Sequence, residues 1–121
     1  MSTGRQNAAL GAYGERVAAR RLVEDGLVLL DRNWRCEAGE IDLVLRDGDV
    51  LVFCEVKTRS STAYGHPLAA VDDVKTERLV RLAGRWIEEH GVVAPTVRFD
   101  MVGVLRSPRG AAEVEHVRGL G

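Results

Sequence analysis

The dipeptide Asp47-Gly48 lies between two runs, residues 40–46 and 49–57, in which apolar and polar side chains alternate. Alternation gives each strand one apolar face, and Asp-Gly accepts the positive φ angles of a tight two-residue turn, so this stretch is constrained to an antiparallel hairpin. With Asp47 and Gly48 as the loop, Arg46 pairs with Asp49, Asp42 stands opposite Phe53, and Glu40 stands opposite Glu55. Glu40, Asp42, Phe53, Glu55 and Lys57 then share one face, while Ile41, Leu43, Val52, Cys54 and Val56 share the other. The second face reads as plain core; the first carries too much charge for that.

The hairpin belongs to a longer order of elements. Residues 5–26 read as an Ala- and Arg-rich helix stopped by Gly26. At 100° per residue, Ala8, Gly11, Ala12, Ala18, Ala19, Leu22 and Val23 gather on one broad face with Glu15 at its centre. Residues 27–36 form a strand ahead of the hairpin. Residues 58–68 read as a loop, followed by a second helix at about 72–90, capped by Asp72 and ended by Gly91. A strand over 96–105 and a short arm over 112–117 close the chain. Helix, three strands, helix and one or two strands make an α/β fold, a mixed sheet flanked by helices, with room for a parallel crossover through the second helix. At 121 residues the whole chain, 1–121, fits one domain.

Several function classes are excluded by composition. The apolar runs are far shorter than the roughly 20 residues that cross a bilayer, and the first ten residues lack a secretory pattern, so the chain is expected to be cytoplasmic with no membrane partner. Its two cysteines, Cys36 and Cys54, sit in no zinc-type spacing and should stay reduced. With 17 basic and 18 acidic residues, any nucleic-acid footprint must be local.

The charged face of the hairpin carries the chemistry. Opposed carboxylates on a sheet repel by roughly 0.2–1 kcal/mol per pair, and more where water is excluded. Lys57 offsets one charge; a hard divalent cation, Mg²⁺ or Mn²⁺, would neutralise the remainder and accepts all-oxygen ligands. A water polarised by such a cation and positioned by Lys57 is suited to attack a phosphodiester, which makes hydrolytic phosphoryl transfer the expected reaction class. Lys57, among carboxylates, is expected to orient and stabilise rather than to act as a free base.

Gly39-Glu40-Ile41-Asp42-Leu43-Val44, followed at Phe53-Cys54-Glu55-Val56-Lys57-Thr58-Arg59, resembles the D…ExK signature of the restriction-endonuclease-like superfamily. With Gly14-Glu15, Arg32-Asn33-Trp34-Arg35, Tyr64-Gly65-His66-Pro67, Val71, Lys75 and Phe99-Asp100, the chain is similar to the YraN family, small bacterial proteins that resemble archaeal Holliday-junction resolvases and are predicted endonucleases. The resemblance implies a restriction-endonuclease-like αβββαβ core, Asp42 and Glu55 as metal ligands, Lys57 as the catalytic lysine and Glu15 as a helix carboxylate completing the site. The superfamily's loosely defined proline before the first aspartate is absent here, with Glu40-Ile41 in its place.

Other residues are read two ways. Glu15 is either part of the active site or a partner for an arginine, and Glu40 is expected in an outer shell or facing solvent. Lys75, Arg78, Arg81 and Arg85 line one side of the second helix, and with Arg59 they form a candidate phosphate-binding stripe; a solvated face is the alternative for the distal arginines. Asp100, beside Arg98, is expected to be structural, Trp34 and Trp86 to pack, and His66, His90 and His116 to lie at the surface. The sequence thus leads to a metal-dependent endonuclease acting on DNA, with branched or junction DNA favouring a homodimer. The alternative is a nucleic-acid-binding or interaction module on a nuclease fold without useful turnover.

Overall fold

In the computed structural model the chain runs α1 (Thr3–Glu24), β1 (Val28–Cys36), β2 (Gly39–Asp47), β3 (Val50–Arg59), α2 (Asp73–His90), β4 (Thr96–Leu105) and β5 (Glu113–Val117). It describes residues 3–61, 73–93 and 96–120, with side chains from residue 8 in α1 and from residue 76 in α2. Asp72 and the segment containing Tyr64, Gly65, His66, Pro67 and Val71 lie outside the described residues, as does the side chain of Lys75.

The strands form one sheet in sequence order, β1-β2-β3-β4-β5. Only β3 and β4 run parallel, joined by the crossover that contains α2; the other pairs are antiparallel. This is the expected α/β architecture with a mixed sheet, and its αβββαβ order is consistent with a restriction-endonuclease-like core.

The hairpin differs from its expected register by two residues. Asp47 pairs with Val50 and Leu43 with Cys54, so the loop is Gly48-Asp49 rather than Asp47-Gly48. Gly48, at φ 60°, takes the first loop position, the Gly-first pattern of a type II′ turn. A slip of two by itself moves no residue to the other face, because side chains repeat with period two.

Both faces of the sheet turn out to be core. On one, Ala18, Ala19 and Leu22 of α1 bury Leu43, Leu45, Val52, Cys54, Val102 and Val104. On the other, Leu79, Leu82, Ala83 and Trp86 of α2 bury Val44, Leu51 and Phe53. Strand β3 is therefore apolar on successive residues, Leu51 to Cys54, as a strand covered on both sides requires. Phe53 lies edge-on to Trp86 at 5.6 Å and stacks on Phe99 at 6.1 Å, so it belongs to the α2 side of the core and not to the charged surface. The buried face of α1 is also narrower than its periodicity suggested: Ala8, Ala12 and Val23 are exposed, and the helix closes on the sheet through Gly14, Ala18 and Leu22.

Gly14 sets how closely α1 approaches β3. A β-carbon there would lie 1.8 Å from Thr58 Oγ1 and 2.7 Å from Thr58 Cβ, too near for either element to stay in place. Alanine is normally favoured over glycine inside a helix by about 1 kcal/mol, but overpacking of this kind costs about 1–3 kcal/mol or more. Gly14→Ala is therefore expected to lower the unfolding free energy, whereas Gly84→Ala, whose β-carbon meets nothing within 4 Å, should raise it by about 0.5–1 kcal/mol. Urea melts of the two variants check the pair; equal effects would contradict it.

Candidate functional site

Asp42 sits where the sheet departs from regular pairing. On β1 the ladder joins Arg32 to Leu43 and Trp34 to Ile41, and between them Asn33 adopts φ 53°, the one positive value among the described non-glycine residues. Asparagine tolerates this left-handed conformation better than most residues. Alternation breaks at this point, so Ile41, expected to share a face with Leu43, instead joins the α2 side of the core. On the other edge the β2–β3 ladder runs as far as Leu43 and Cys54, beyond which the Asp42 carboxylate accepts the Val56 N–H at 2.8 Å. A side-chain oxygen there takes a backbone donor and fixes the carboxylate in the gap between the strands.

Three carboxylates meet at this gap. Glu15, carried in by the close approach at Gly14, shares a hydrogen bond with Asp42. With its amide nitrogen turned toward Glu15, Asn33 donates to both Glu15 oxygens at 3.1 and 2.9 Å. Glu40 completes the group: Glu15, Glu40 and Asp42 each offer an oxygen within 4.8 Å of the others. Glu40 also accepts from Arg35 Nε at 2.7 Å. Glu55 and Lys57 follow on β3, with Lys57 Nζ 3.9 Å from Glu55 Oε1. Glu40, Asp42, Glu55, Lys57 and Arg78 of α2 line one pocket of about 310 Å³.

Electrostatics follow from this crowding. Burial, together with the negative charges of Glu15, Glu40 and Glu55, pushes the Asp42 carboxyl up to about 7, against the pull of the Val56 N–H. Burial also raises Glu15, with Glu40 adding to it, while the Asp42 hydrogen bond, Arg32 and Arg35 act the other way. The folded state thus holds a proton on Asp42 more tightly than the unfolded chain does. Its contribution to stability is complete below about pH 4 and is lost as pH rises through about 7. The melting temperature of the metal-free protein is expected to fall between pH 5 and 8, and to fall less in Asp42→Asn; identical pH profiles of the two proteins would contradict this cause.

The donor set suits a hard divalent cation: oxygen ligands only, in excess of the positive charge beside them, on a partly dehydrated floor. The residues singled out in the sequence divide by position. Asp42, Glu55, Lys57 and Arg78 line the acidic pocket, and Glu15 reaches Asp42 from the adjoining groove, which Lys57 and Arg59 also line. Arg85 is not brought to the pocket; its guanidinium donates to Glu37 at 2.7 Å in a separate polar cleft with Trp34 and Glu89. Glu40, expected in an outer position, lies within the carboxylate group itself. Asn33 was not singled out as a site residue; its signal was an asparagine inside a strand-like run, where asparagine is disfavoured unless the backbone or a neighbour needs it.

Away from the pocket, Asp100 is completely buried and fully engaged. Arg98 donates to both of its oxygens at 2.9 and 3.0 Å, His116 Nε2 lies 2.7 Å from Oδ2, and the Gly119 N–H donates at 3.0 Å. Burial alone would raise this carboxyl, but the bonds from His116, Arg98 and Gly119 outweigh it and hold Asp100 below its usual range. His116 is thus a nearly buried member of this network and not the surface residue expected, while His90 is exposed and stacks on Trp86 at 4.1 Å. Trp86 is core and donates to Asp31 at 2.9 Å, tying α2 to β1. Cys36 and Cys54 are free thiols. Among the described residues no helix is long and apolar enough to cross a membrane.

A mixed five-stranded sheet with a helix on each face and a carboxylate cluster at the β2–β3 gap defines an α/β protein whose core is consistent with the restriction-endonuclease-like class. Residues 14–104 match the model of the family described as Uncharacterised protein family UPF0102, and the chain belongs to that family, the YraN family. Relatives include UPF0102 proteins of Nocardioides sp., 66% identical over 93% of this chain and 91% of the relative, and of Beutenbergia cavernae, 61% identical over 93% and 96%. A UPF0102 protein of Streptomyces griseus is 59% identical over 93% of this chain and 95% of its own.

Proposed function

We propose that the chain is a metal-dependent endonuclease that hydrolyses phosphodiester bonds in DNA. The observation that carries this reading is the convergence of Glu15, Glu40 and Asp42 within 4.8 Å, the latter two sharing one pocket with Glu55 and Lys57. Carboxylates held this close raise one another's proton affinity and gain most from a cation. Mg²⁺ or Mn²⁺, when bound, supplies the charge that polarises an attacking water and stabilises the phosphate in the transition state. Asp42 and Glu55 would hold it, with Glu15 and Glu40 completing the ligand set.

The chain's own groups then have distinct tasks. Val56 N–H and Asn33 aim the Asp42 and Glu15 carboxylates, so no reorganisation is needed when a substrate arrives. Lys57 orients a phosphate oxygen, and Arg78 from α2 lines the same pocket. Lys75 and Arg59 are the remaining candidates for phosphate contacts, and a two-fold substrate would be met by a homodimer.

The test is cleavage of linear, flapped and four-way DNA with Mg²⁺, Mn²⁺ or chelator. Metal-dependent cleavage of at least one form, lost in Glu55→Gln and in Lys57→Met, supports the reading. Metal-independent DNA binding with no cleavage of any form would replace it with a binding module on a nuclease fold.

A further inference from the structure

The acidic pocket poses a problem for any nucleic-acid substrate. Glu40, Asp42 and Glu55 line it against Lys57 and Arg78, so affinity for a polyanion must come from elsewhere on the molecule. The net charge of −1 means that no general field supplies it. On the other flank of α1 from Glu15, a groove runs between α1 and the segment leading into β5. Its floor is apolar, formed by Tyr13, Val17, Ala112 and Val114, which pack against the edge of the α1-side core. Its rim carries Arg16, Arg20 and Arg21, with Glu24 at one end.

Arg21 is engaged by Asp25 at 3.5 Å. Arg16 and Arg20, both exposed, meet no carboxylate within ion-pair distance among the described residues, although the chain holds 18 acidic residues. They stand one helical turn apart, about 6 Å along the axis, on one side of α1. Strand β4 separates the groove's β5 from β3, which places it about 10 Å from the strand bearing Glu55 and Lys57, within the reach of one nucleic-acid molecule.

We propose that this groove is a second phosphate-binding site, in which Arg16 and Arg20 grip the sugar-phosphate backbone of the DNA whose scissile bond lies in the acidic pocket. Tyr13 provides a half-buried ring beside them. The proposal rests on the endonuclease reading for its choice of ligand, but its test does not depend on cleavage. Two guanidiniums that each neutralise a phosphate displace about two condensed cations from the DNA and steepen the salt dependence of binding by about two in the log–log slope.

Binding of fluorescent 30-base-pair DNA is measured in chelator over a range of KCl concentrations for wild type, Arg16→Ala/Arg20→Ala and the control Arg46→Ala, with thermal melts showing each to be folded. The expected result is a Kd raised between about tenfold and a hundredfold near 0.1 M salt in the double variant, and a salt slope shallower by about two. Arg16→Lys/Arg20→Lys should recover the slope, and Arg46→Ala, at the exposed hairpin end of β2, should leave both quantities near wild type. DNA affinity and slope unchanged in the double variant overturn the proposal, even if wild type cleaves DNA. A wild type that binds DNA with these dependences but never cuts it leaves the groove standing and removes the nuclease reading. Binding of a poly-glutamate peptide in place of DNA, lost in the double variant, overturns the nucleic-acid assignment and makes the groove a protein contact.

Discussion

Asp42→Asn is expected to reduce DNA cleavage at least about 10³-fold and to abolish saturable Mn²⁺ binding, while making the metal-free protein more stable. The first two effects follow from its position: Asp42 lies within one carboxylate group with Glu15 and Glu40 and shares a pocket with Glu55. Stability moves the other way for an electrostatic reason. At neutral pH the native carboxyl is buried first of all and then crowded by three carboxylates, and its value near 7 expresses that cost. An asparagine carbonyl still accepts the Val56 N–H, so the substitution removes repulsion and keeps the bond. A gain of about 1 kcal/mol, or about 4 °C in melting temperature, is the expected size. Loss of function with gain of stability separates a working site from a structural one. If Asp42 were a structural ligand of the fold, the same variant would melt lower.

Asp100→Ala is expected to have the largest effect on stability, about 3–5 kcal/mol. Removing this carboxylate takes away the acceptor that Arg98, His116 and the Gly119 N–H share, and among the described residues Arg98 then keeps its bond to Asp47, at 3.0 Å. Because Gly119 and His116 follow from β5 and its end, the damage should fall first on the C-terminal arm. Hydrogen exchange should show β5 amides losing protection before those of β3, and urea melts should give the total. Asp100→Asn, which keeps an acceptor but loses the charge, should cost less. A change below about 1 kcal/mol in Asp100→Ala would mean that the buried network adds little to the fold, as happens for some buried ion pairs when both partners relax.

The elements were legible in the sequence because each was announced by local chemistry: alternation around Asp47-Gly48, Gly26 after the first helix, and an apolar arc through Leu79, Leu82 and Trp86. The grouping of Asp42, Glu55 and Lys57 survived a register error of two residues for the simple reason that strand faces repeat every two. What escaped was non-local or depended on one backbone angle. Whether Asp47 or Asp49 joins Gly48 in the loop changes few local contacts, so composition did not decide it. Across from Asn33 and its positive φ, alternation breaks: Ile41 lies on the other face, and Glu40 lies beside Glu15 and Asp42. No pattern within β2 specifies this, since the irregularity is shared with Asn33 on the neighbouring strand β1. Arg85 illustrates the limit for charge stripes: helical spacing placed it with Arg78, but Glu37, 48 residues away in sequence, engages it elsewhere.

The most direct measurement is calorimetric titration of Mn²⁺ into wild type and Asp42→Asn at pH 6.5, in two buffers that differ in ionisation heat. Wild type should bind with release of part of a proton, because a carboxyl titrating near 7 must give up its proton to a cation, and the release should vanish by pH 8.5. Asp42→Asn should show neither binding nor release. Binding that is identical in the two proteins, or absent from a folded wild type at both pH values, would contradict a metal site at Asp42.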